Sequence, residues 1–301
     1  MADARRDRWG ADMRVLVAGA TGVIGRRATD LLLARGHQVT GLSRSDQHAA
    51  TLRARGADAM VVDVYDAEAL ADAVKAAAPD VVMHQLTDLS GGSSEANARM
   101  RRIGTRNLTD AALTVGVRRI VAQSVAWAYQ AGPNPADEGT PLDLHASAPR
   151  STTVGGVVAL ESSVRDAPEW VVLRYGLLYG PDTWYTPGGL VAEQARRREL
   201  MANADVSSFV QVDDAAEAAV AALDWPTGVA NICDDEPATG HEWAPLFARW
   251  VGAPEPPKDL DTPRPGWARG ADNRRARHEL GWEPRYRSWR DGFTAAPRAR
   301  F

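Results

Sequence analysis

Three glycines spaced three residues apart end the first apolar segment of this chain, which reads Arg14-Val-Leu-Val-Ala-Gly19-Ala-Thr-Gly22-Val-Ile-Gly25. Glycines at this spacing allow a tight turn, a close approach of the backbone to phosphate, and close packing of the next helix on the strand. The N-terminus of that helix offers N–H groups and partial positive charge to an anion. The run therefore predicts binding of a dinucleotide through its pyrophosphate. The predicted contacts are Gly19, Thr21, Gly22, Val23, Ile24 and Gly25.

The end of the second predicted strand bears on the choice between NAD and NADP. An acid there would bind the ribose 2′-hydroxyl, whereas an arginine would accommodate a 2′-phosphate. The chain has no acid at this point, but it has Ser43 and Arg44. Arg44 can offer a planar fork to phosphate, and Ser43 a hydroxyl. We predict NADP as the cofactor, with NAD less favoured. The alternative interpretation of Arg44 is a solvated loop residue in an arginine-rich chain.

The elements that would position this turn alternate between strands and helices. Strands are predicted at 15–18, 38–42, 59–62, 80–86, 119–124 and 170–173, and helices at 23–35, 47–55, 67–78, 95–115 and 151–165. Strands separated by helices of about 10–15 residues are typical of parallel βαβ units. The sequence predicts an α/β fold, a Rossmann-type doubly wound parallel sheet with a smaller C-terminal α/β substrate lobe.

We expect three parts along the chain. Residues 1–12 are polar and predict a flexible N-terminal extension. Residues 13–175 predict an NADP-binding Rossmann domain, completed by parts of 207–232. Residues 176–301, where the alternation loosens, predict the substrate-binding lobe.

Composition limits the classes of function. The chain is 45% hydrophobic and 25% charged, as in ordinary globular proteins, and its net charge of −4 includes no block of like charges. The single cysteine, Cys233, excludes an internal disulfide. No apolar stretch approaches the roughly 20 residues of a membrane span, and no metal-ligand spacing is found. We expect a cytoplasmic protein with a small-molecule substrate, no metal, and neither nucleic acid nor membrane as partner.

Further motifs follow in a specific order. They include Val62-Asp63-Val64, Val81-Val-Met-His84-Gln-Leu86, Gly104-Thr105-Arg-Asn107-Leu108 and Leu173-Arg174-Tyr175-Gly176. With the glycine run, they make the chain similar to the extended short-chain dehydrogenases/reductases, the NAD(P)-dependent epimerase/dehydratase family, over nearly its whole length. The resemblance implies a homodimer formed through the helices at 95–115 and 151–165. It implies cofactor contacts at Asp63, Val64, Leu86, Thr87, Ser124 and Tyr175, and substrate contacts at Trp127, Tyr179 and Trp184.

The resemblance breaks at the acid–base pair. In this family a Tyr and a Lys lie four residues apart on the helix after the fifth strand, and Lys⁺ lowers the pKa of the Tyr hydroxyl. The matching positions here are Thr153 and Val157. The chain's two lysines, Lys75 and Lys258, do not follow a tyrosine by four residues. We interpret the chain as an atypical member that lacks the Tyr-x-x-x-Lys pair.

Neighbouring positions are altered as well. The family's catalytic Ser/Thr falls on Val125, one residue past Ser124, and its asparagine three residues before Gly104 is Arg101. The candidates for the missing acid are Tyr129, Ser124, Thr153 or water. Tyr129 is equally interpretable as an amphipathic wall residue.

These observations predict an atypical NADP-dependent oxidoreductase. Hydride would move between nicotinamide C4 and a carbonyl or activated double bond of a small substrate, with a bulky apolar one conceivable from the tryptophans. Two alternatives stay open. One is a non-redox isomerase, dehydratase or cyclase with NADP bound, and the other is a non-catalytic dinucleotide-sensing protein.

Overall fold

The computed structural model describes residues 12–89 and 92–294. The predicted N-terminal extension at 1–12 lies, except for Asp12, outside the described residues. The strands are β1 Arg14–Ala18, β2 Gln38–Ser43, β3 Asp58–Val61, β4 Val81–His84, β5 Arg119–Val125, β6 Glu169–Tyr175, β7 Leu177–Tyr179, β8 Val206–Ser207, β9 Phe209–Gln211, β10 Gly228–Ile232 and β11 Ala238–Thr239. The helices are α1 Val23–Ala34, α2 Asp46–Ala54, α3 Ala67–Ala77, α4 Ser94–Arg99, α5 Thr105–Thr114, α6 Arg150–Val164, α7 Leu190–Arg196, α8 Val212–Ala221, α9 Gly240–Trp250, α10 Arg274–His278 and α11 Trp289–Thr294.

Seven strands form one sheet in the order β10-β6-β5-β4-β1-β2-β3. Strand β1 pairs in parallel with β2, where Val15 faces Val39, and with β4, where Val15 faces Val81. Their apolar runs are buried, as expected for a sheet covered by helices on both faces. The strand order reverses direction between β1 and β4, as in doubly wound dinucleotide-binding folds. The predicted Rossmann-type α/β fold is confirmed.

The described residues form two compact units. The first takes those within 1–124, 144–173 and 216–229, and the second takes those within 125–143, 174–215 and 230–301. The first unit therefore includes a late segment, 216–229, and excludes 125–143, which the sequence placed within residues 13–175. Its core is formed by apolar residues of β1, β4, β5, α3 and α5, such as Leu16 and Leu108.

The second unit has an aromatic core. Phe209 of β9 contacts Trp243 of α9 edge-on at 5.4 Å between ring centroids, and Phe293 of α11 at 5.7 Å. Short strands β7 and β9 pair in parallel, and β8 pairs with β11 antiparallel.

The helix predicted over 95–115 is not regular. A π-helical segment, Met100–Gly104, lies between α4 and α5. A Cβ on Gly104 would lie 2.6 Å from the Met100 Sδ and 3.2 Å from Val64 Cγ2, so glycine lets this segment pack closely. Single π turns inside α-helices are frequent at functional sites.

Candidate functional site

The glycine turn has the geometry of a phosphate cradle. Gly19 has φ +90°, and a Cβ there would lie 2.5 Å from the Gln85 carbonyl oxygen. A Cβ on Gly25 would lie 2.0 Å from the Gly19 oxygen, which accepts a 2.9 Å hydrogen bond from Gly22 N–H. These contacts leave no room for side chains at Gly19 and Gly25.

The first turn of α1 is suited to an anion. Its N-cap, Gly22, provides no side-chain hydrogen bond, and no acidic residue lies in that turn. The N–H groups there keep their partial positive charge for a ligand. The turn follows β1 where the strand order reverses, which is where such folds bind dinucleotides. The predicted contacts Thr21 and Val23 lie at this turn and are exposed and half-buried respectively, whereas Ile24 is buried.

Ser43 and Arg44, the two residues predicted to distinguish NADP from NAD, lie in different environments at the end of β2. The buried Ser43 hydroxyl donates to the Ser45 carbonyl and accepts from Ser45 N–H, both at 3.1 Å, so it stabilises the turn. Arg44 is exposed. Of these two side chains, that of Arg44 is the one open to solvent. After β3, Asp63 is exposed and accepts from Tyr65 N–H at 3.0 Å.

The remaining cofactor candidates surround the ends of β3 and β4. Val64 is buried, and its carbonyl accepts from Asn107 Nδ2 at 2.9 Å. Leu86 is half-buried and Thr87 is exposed. The Leu86 carbonyl accepts a hydrogen bond from Gln123 Nε2.

His84 anchors the end of β4. Its Nδ1 accepts from Leu86 N–H at 3.2 Å, so Nε2 carries the proton and donates to Thr105 Oγ1 at 2.7 Å. Burial, and then the nearby charge of Arg101, lower the pKa of His84 to about 4. His84 is therefore a neutral, structural histidine near pH 7.

Ser124 at the end of β5 has its proton engaged. Its hydroxyl donates to Glu161 Oε1 of α6 at 2.9 Å, and both side chains are buried. A carboxylate can only accept, so Ser124 must be the donor. Because its proton is directed to Glu161, Ser124 Oγ has lone pairs to offer to a ligand.

Tyr129 lies in the second unit and is buried. Asn231 Nδ2 donates to the carbonyls of Ala136 and Asp272, which leaves Asn231 Oδ1 to accept from the Tyr129 hydroxyl. The Arg174 guanidinium lies over the Tyr129 ring at 4.8 Å. These contacts favour the wall-residue interpretation over that of a replacement acid.

The other predicted positions differ in exposure. Thr153 is half-buried on α6. Trp127 and Trp184 are 37% and 41% exposed, so each presents part of its ring. Tyr175 is buried at the end of β6, and its carbonyl accepts from Ala126 N–H at 2.8 Å.

Tyr179 does not fit the predicted substrate contact. It is 1% exposed, and its ring packs edge-on against Phe293 at 5.3 Å. Burial, followed by the charges of Asp234 and Asp214, raises the pKa of the Tyr179 hydroxyl. The geometry gives Tyr179 a packing role in the aromatic core.

Sequence reasoning missed two partners at the site. Glu161 was not among the predicted site residues, yet it is the acceptor for Ser124. Arg101 was noted only as a departure from the family, yet it is a 4% exposed guanidinium. Burial lowers the pKa of Arg101 to about 10, opposed by the charge of Glu161. An arginine at a family asparagine position was the available signal.

Residues 12–89 and 92–294 contain no metal centre or membrane span in addition to the glycine turn. Within these ranges, no group of three or more His, Cys, Asp or Glu side chains could hold a metal ion. No helix within them has the length and apolar character to cross a membrane. An open cavity of about 720 Å³ lies at the opposite ends of the strands, beside Arg14 and Arg118, and contains none of the predicted site residues.

The reversed strand order and the uncapped glycine turn together are features of a dinucleotide-binding α/β fold. The family comparison agrees, because the model of the NAD dependent epimerase/dehydratase family matches residues 15–233. The chain belongs to this family, whose members use NAD(P) and act on small molecules.

Several individual proteins are similar to this chain over most of its length. The chain is 46% identical to a 3-diazoavenalumate denitrifying reductase of a Streptomyces species, over 93% of this chain and 99% of the relative. It is 29% identical to a UDP-glucose 4-epimerase of Mycolicibacterium smegmatis, over 90% and 94%. The crystal structure of Thermus thermophilus UDP-glucose 4-epimerase in complex with NAD is 28% identical, with a TM-score of 0.74 over 94% of this chain and 100% of that one.

Proposed function

We propose that this enzyme is an NADPH-dependent reductase that replaces the diazo group of an aryl substrate with hydrogen. The observation that carries the proposal is the shortage of proton donors. Helix α6 contains neither Tyr nor Lys, and the Ser124 hydroxyl donates to Glu161. The 46% identity to a diazo-compound reductase over nearly the full length of both chains supports the same reaction.

The chemistry of a diazonium group explains why a proton donor is dispensable. When a carbonyl is reduced, the alkoxide that forms must be protonated. When an aryldiazonium is reduced, the ring carbon gains the hydride pair and the carbon–nitrogen bond breaks. N₂ leaves with the electrons of that bond, and Ar–N₂⁺ plus hydride gives Ar–H plus N₂. A bound reduced nicotinamide supplies the hydride.

The chain's residues then bind, orient and exclude water. The Gly19–Gly25 turn and the α1 N-terminus would hold the pyrophosphate. Val157 is fully buried on α6. Where the family resemblance places a lysine, this side chain is apolar, so it would limit water near a substrate that water can attack.

The test uses isotopes. Purified enzyme is incubated with NADPH and a benzenediazonium salt, and NADPH oxidation is compared with N₂ release. We expect one N₂ per NADPH. In D₂O the new aromatic C–H should contain no solvent deuterium, whereas [4-²H]NADPH should transfer deuterium to the ring. No N₂ release, together with ketone reduction, would refute the proposal in favour of a carbonyl reductase.

The NADP preference is also part of the proposal, and Arg44 supports it. A charge-assisted hydrogen bond contributes about 1.5–3 kcal/mol. Arg44→Met should therefore raise the Kd of NADPH about 10- to 100-fold and leave that of NADH unchanged. Arg118→Met, another exposed arginine at the far ends of the strands, is the control. Equal Kd values for NADPH and NADH in the unaltered enzyme would contradict this preference.

Cytoplasmic location and a homodimer complete the proposal. Ile103, in the helix run that the family resemblance places at the dimer contact, is 42% exposed. An apolar side chain so exposed on this face supports contact with a second copy. Sedimentation of the protein and of Ile103→Glu should give a dimer and a monomer respectively.

A further inference from the structure

A buried, unpaired positive charge lies in the π-helical segment. Arg101 is 4% exposed, and its Nε is sealed from solvent without a hydrogen-bond partner. Within the described part of the chain, its guanidinium makes no hydrogen bond and no ion pair within 4 Å. The adjacent Arg102 is 46% exposed and lies 3.8 Å from Glu95. Arg101 is therefore buried, whereas its neighbour Arg102 is exposed and lies beside an acid.

The charges around Arg101 are otherwise engaged. Glu161 accepts the Ser124 hydroxyl at 2.9 Å and lies 3.5 Å from Arg165. His84 is neutral near pH 7, because burial lowers its pKa to about 4. A buried charge costs several kcal/mol unless it is paired and hydrogen-bonded. Arg101 therefore lacks the direct anionic partner that a buried guanidinium requires.

Arg101 lies against the altered face of α6. A Cβ on Gly156 would lie 3.4 Å from Arg101 Cδ and 3.0 Å from Ala98 Cα. Glycine at 156 thus lets α6 pack closely on Ala98, with the Arg101 side chain in contact beside it. Thr153 and Val157, at the positions of the family's acid–base pair, flank Gly156 on the same helix. The unpaired charge is beside the altered part of the site.

We propose that Arg101 binds an anionic oxygen of the substrate, either a carboxylate or a phenolate. The identity of the diazo substrate rests on the proposed function, but the recognition of an anion does not. A guanidinium offers a planar fork of N–H donors that suits such oxygens. A bare aryldiazonium cation would meet a like charge at this point, whereas a substrate that also has an oxyanion is neutral overall. The preferred substrate class is therefore a diazonium zwitterion.

The test measures binding of unreactive probes to the enzyme saturated with NADP⁺. Benzoate is compared with benzamide, and 4-nitrophenolate with 4-nitroanisole, by isothermal titration. The unaltered enzyme should bind at least one anion about 10-fold more tightly than its neutral counterpart. The pair that shows the preference distinguishes carboxylate from phenolate.

Variants assign the preference to Arg101. Arg101→Met should abolish it, Arg101→Lys should restore part of it, and Arg102→Met should retain it. Circular dichroism and Tm confirm folding of each variant. No anion preference in the unaltered enzyme, or an undiminished preference in Arg101→Met, would overturn the inference.

Turnover separates this inference from the proposed function. If N₂ release fails while the Arg101-dependent anion preference persists, the diazo reaction is wrong and the anion site is supported. If Arg101→Met reduces an oxyanion-bearing diazonium with an unchanged KM, the anion site is wrong and the diazo reaction stands.

Discussion

Two adjacent glycines in α6 should respond in opposite ways to the same substitution. Gly155 is exposed, and a Cβ there would meet nothing within 4 Å. Alanine is about 0.8–1 kcal/mol more favourable than glycine inside a helix. Gly155→Ala should therefore stabilise the protein by about 1 kcal/mol, which corresponds to a rise in Tm of roughly 2 °C for a chain of this size.

Gly156→Ala gains the same helix propensity but meets α4. Its methyl group would lie 3.0 Å from Ala98 Cα and 3.1 Å from Ala98 Cβ, whereas carbon atoms pack well at about 3.5–4.0 Å. Because α4 must move, an overpacking cost of about 1–3 kcal/mol should cancel or exceed the gain.

Thermal unfolding followed by circular dichroism, with both variants in one buffer, measures the difference. We expect the Tm of Gly155→Ala to exceed that of Gly156→Ala by roughly 2–6 °C. Equal increases in both variants would refute the packing argument. The pair also has a functional readout, because only Gly156→Ala would displace α4, which continues into the segment that contains Arg101, and so weaken the anion preference.

Three further predictions concern the cofactor turn and two buried groups. Gly25→Ala would place a Cβ 2.0 Å from the Gly19 oxygen, and the resulting shift of about 1 Å should weaken NADPH binding about 100-fold, as measured by fluorescence titration. Gly22→Ala, whose Cβ would lie 3.2 Å from the same oxygen, should lose less NADPH affinity. Tyr129→Phe leaves Asn231 Oδ1 without its buried donor and should lower the free energy of unfolding by about 1–2 kcal/mol with kcat unchanged. A large fall in kcat at full stability would argue against a purely structural role of Tyr129. Burial raises the pKa of Asp234 to about 8, so its contribution to stability is present at acidic pH and is lost as pH rises through 8. In urea unfolding, Asp234→Asn should therefore lose less stability than the unaltered protein between pH 5 and pH 9. Parallel pH profiles of the two proteins would exclude Asp234 as the cause.

The sequence was a sufficient guide to the sheet and the glycine turn. The βαβ alternation depends on apolar runs and on glycines that end helices, and both are local patterns. The predicted helix at 23–35 and the strand at 38–42, for example, agree with α1 and β2 to within one residue. Strands β8 and β11, with two residues each, were missed because so short a segment has no measurable alternation.

The site depended on contacts that no local pattern contains. The Ser124 acceptor is 37 residues away in sequence, and the Tyr129 acceptor is 102 residues away. Residue type alone made both hydroxyls candidate acids. Only the fold shows that both hydroxyls donate to internal acceptors, Glu161 and Asn231. These contacts argue against either hydroxyl as the proton donor of the reaction, which the sequence could not do.

The π-helical segment at Met100–Gly104 makes this part of the chain sensitive to a single deletion. A π turn contains one residue more than the α turn it replaces, which offsets the helix on either side by about 100°. Deleting a single codon there would restore a regular helix and rotate Thr105 away from His84. The buried position of Arg101 and the contact between Thr105 and His84 therefore depend on the same extra residue, so that one deletion would disturb both.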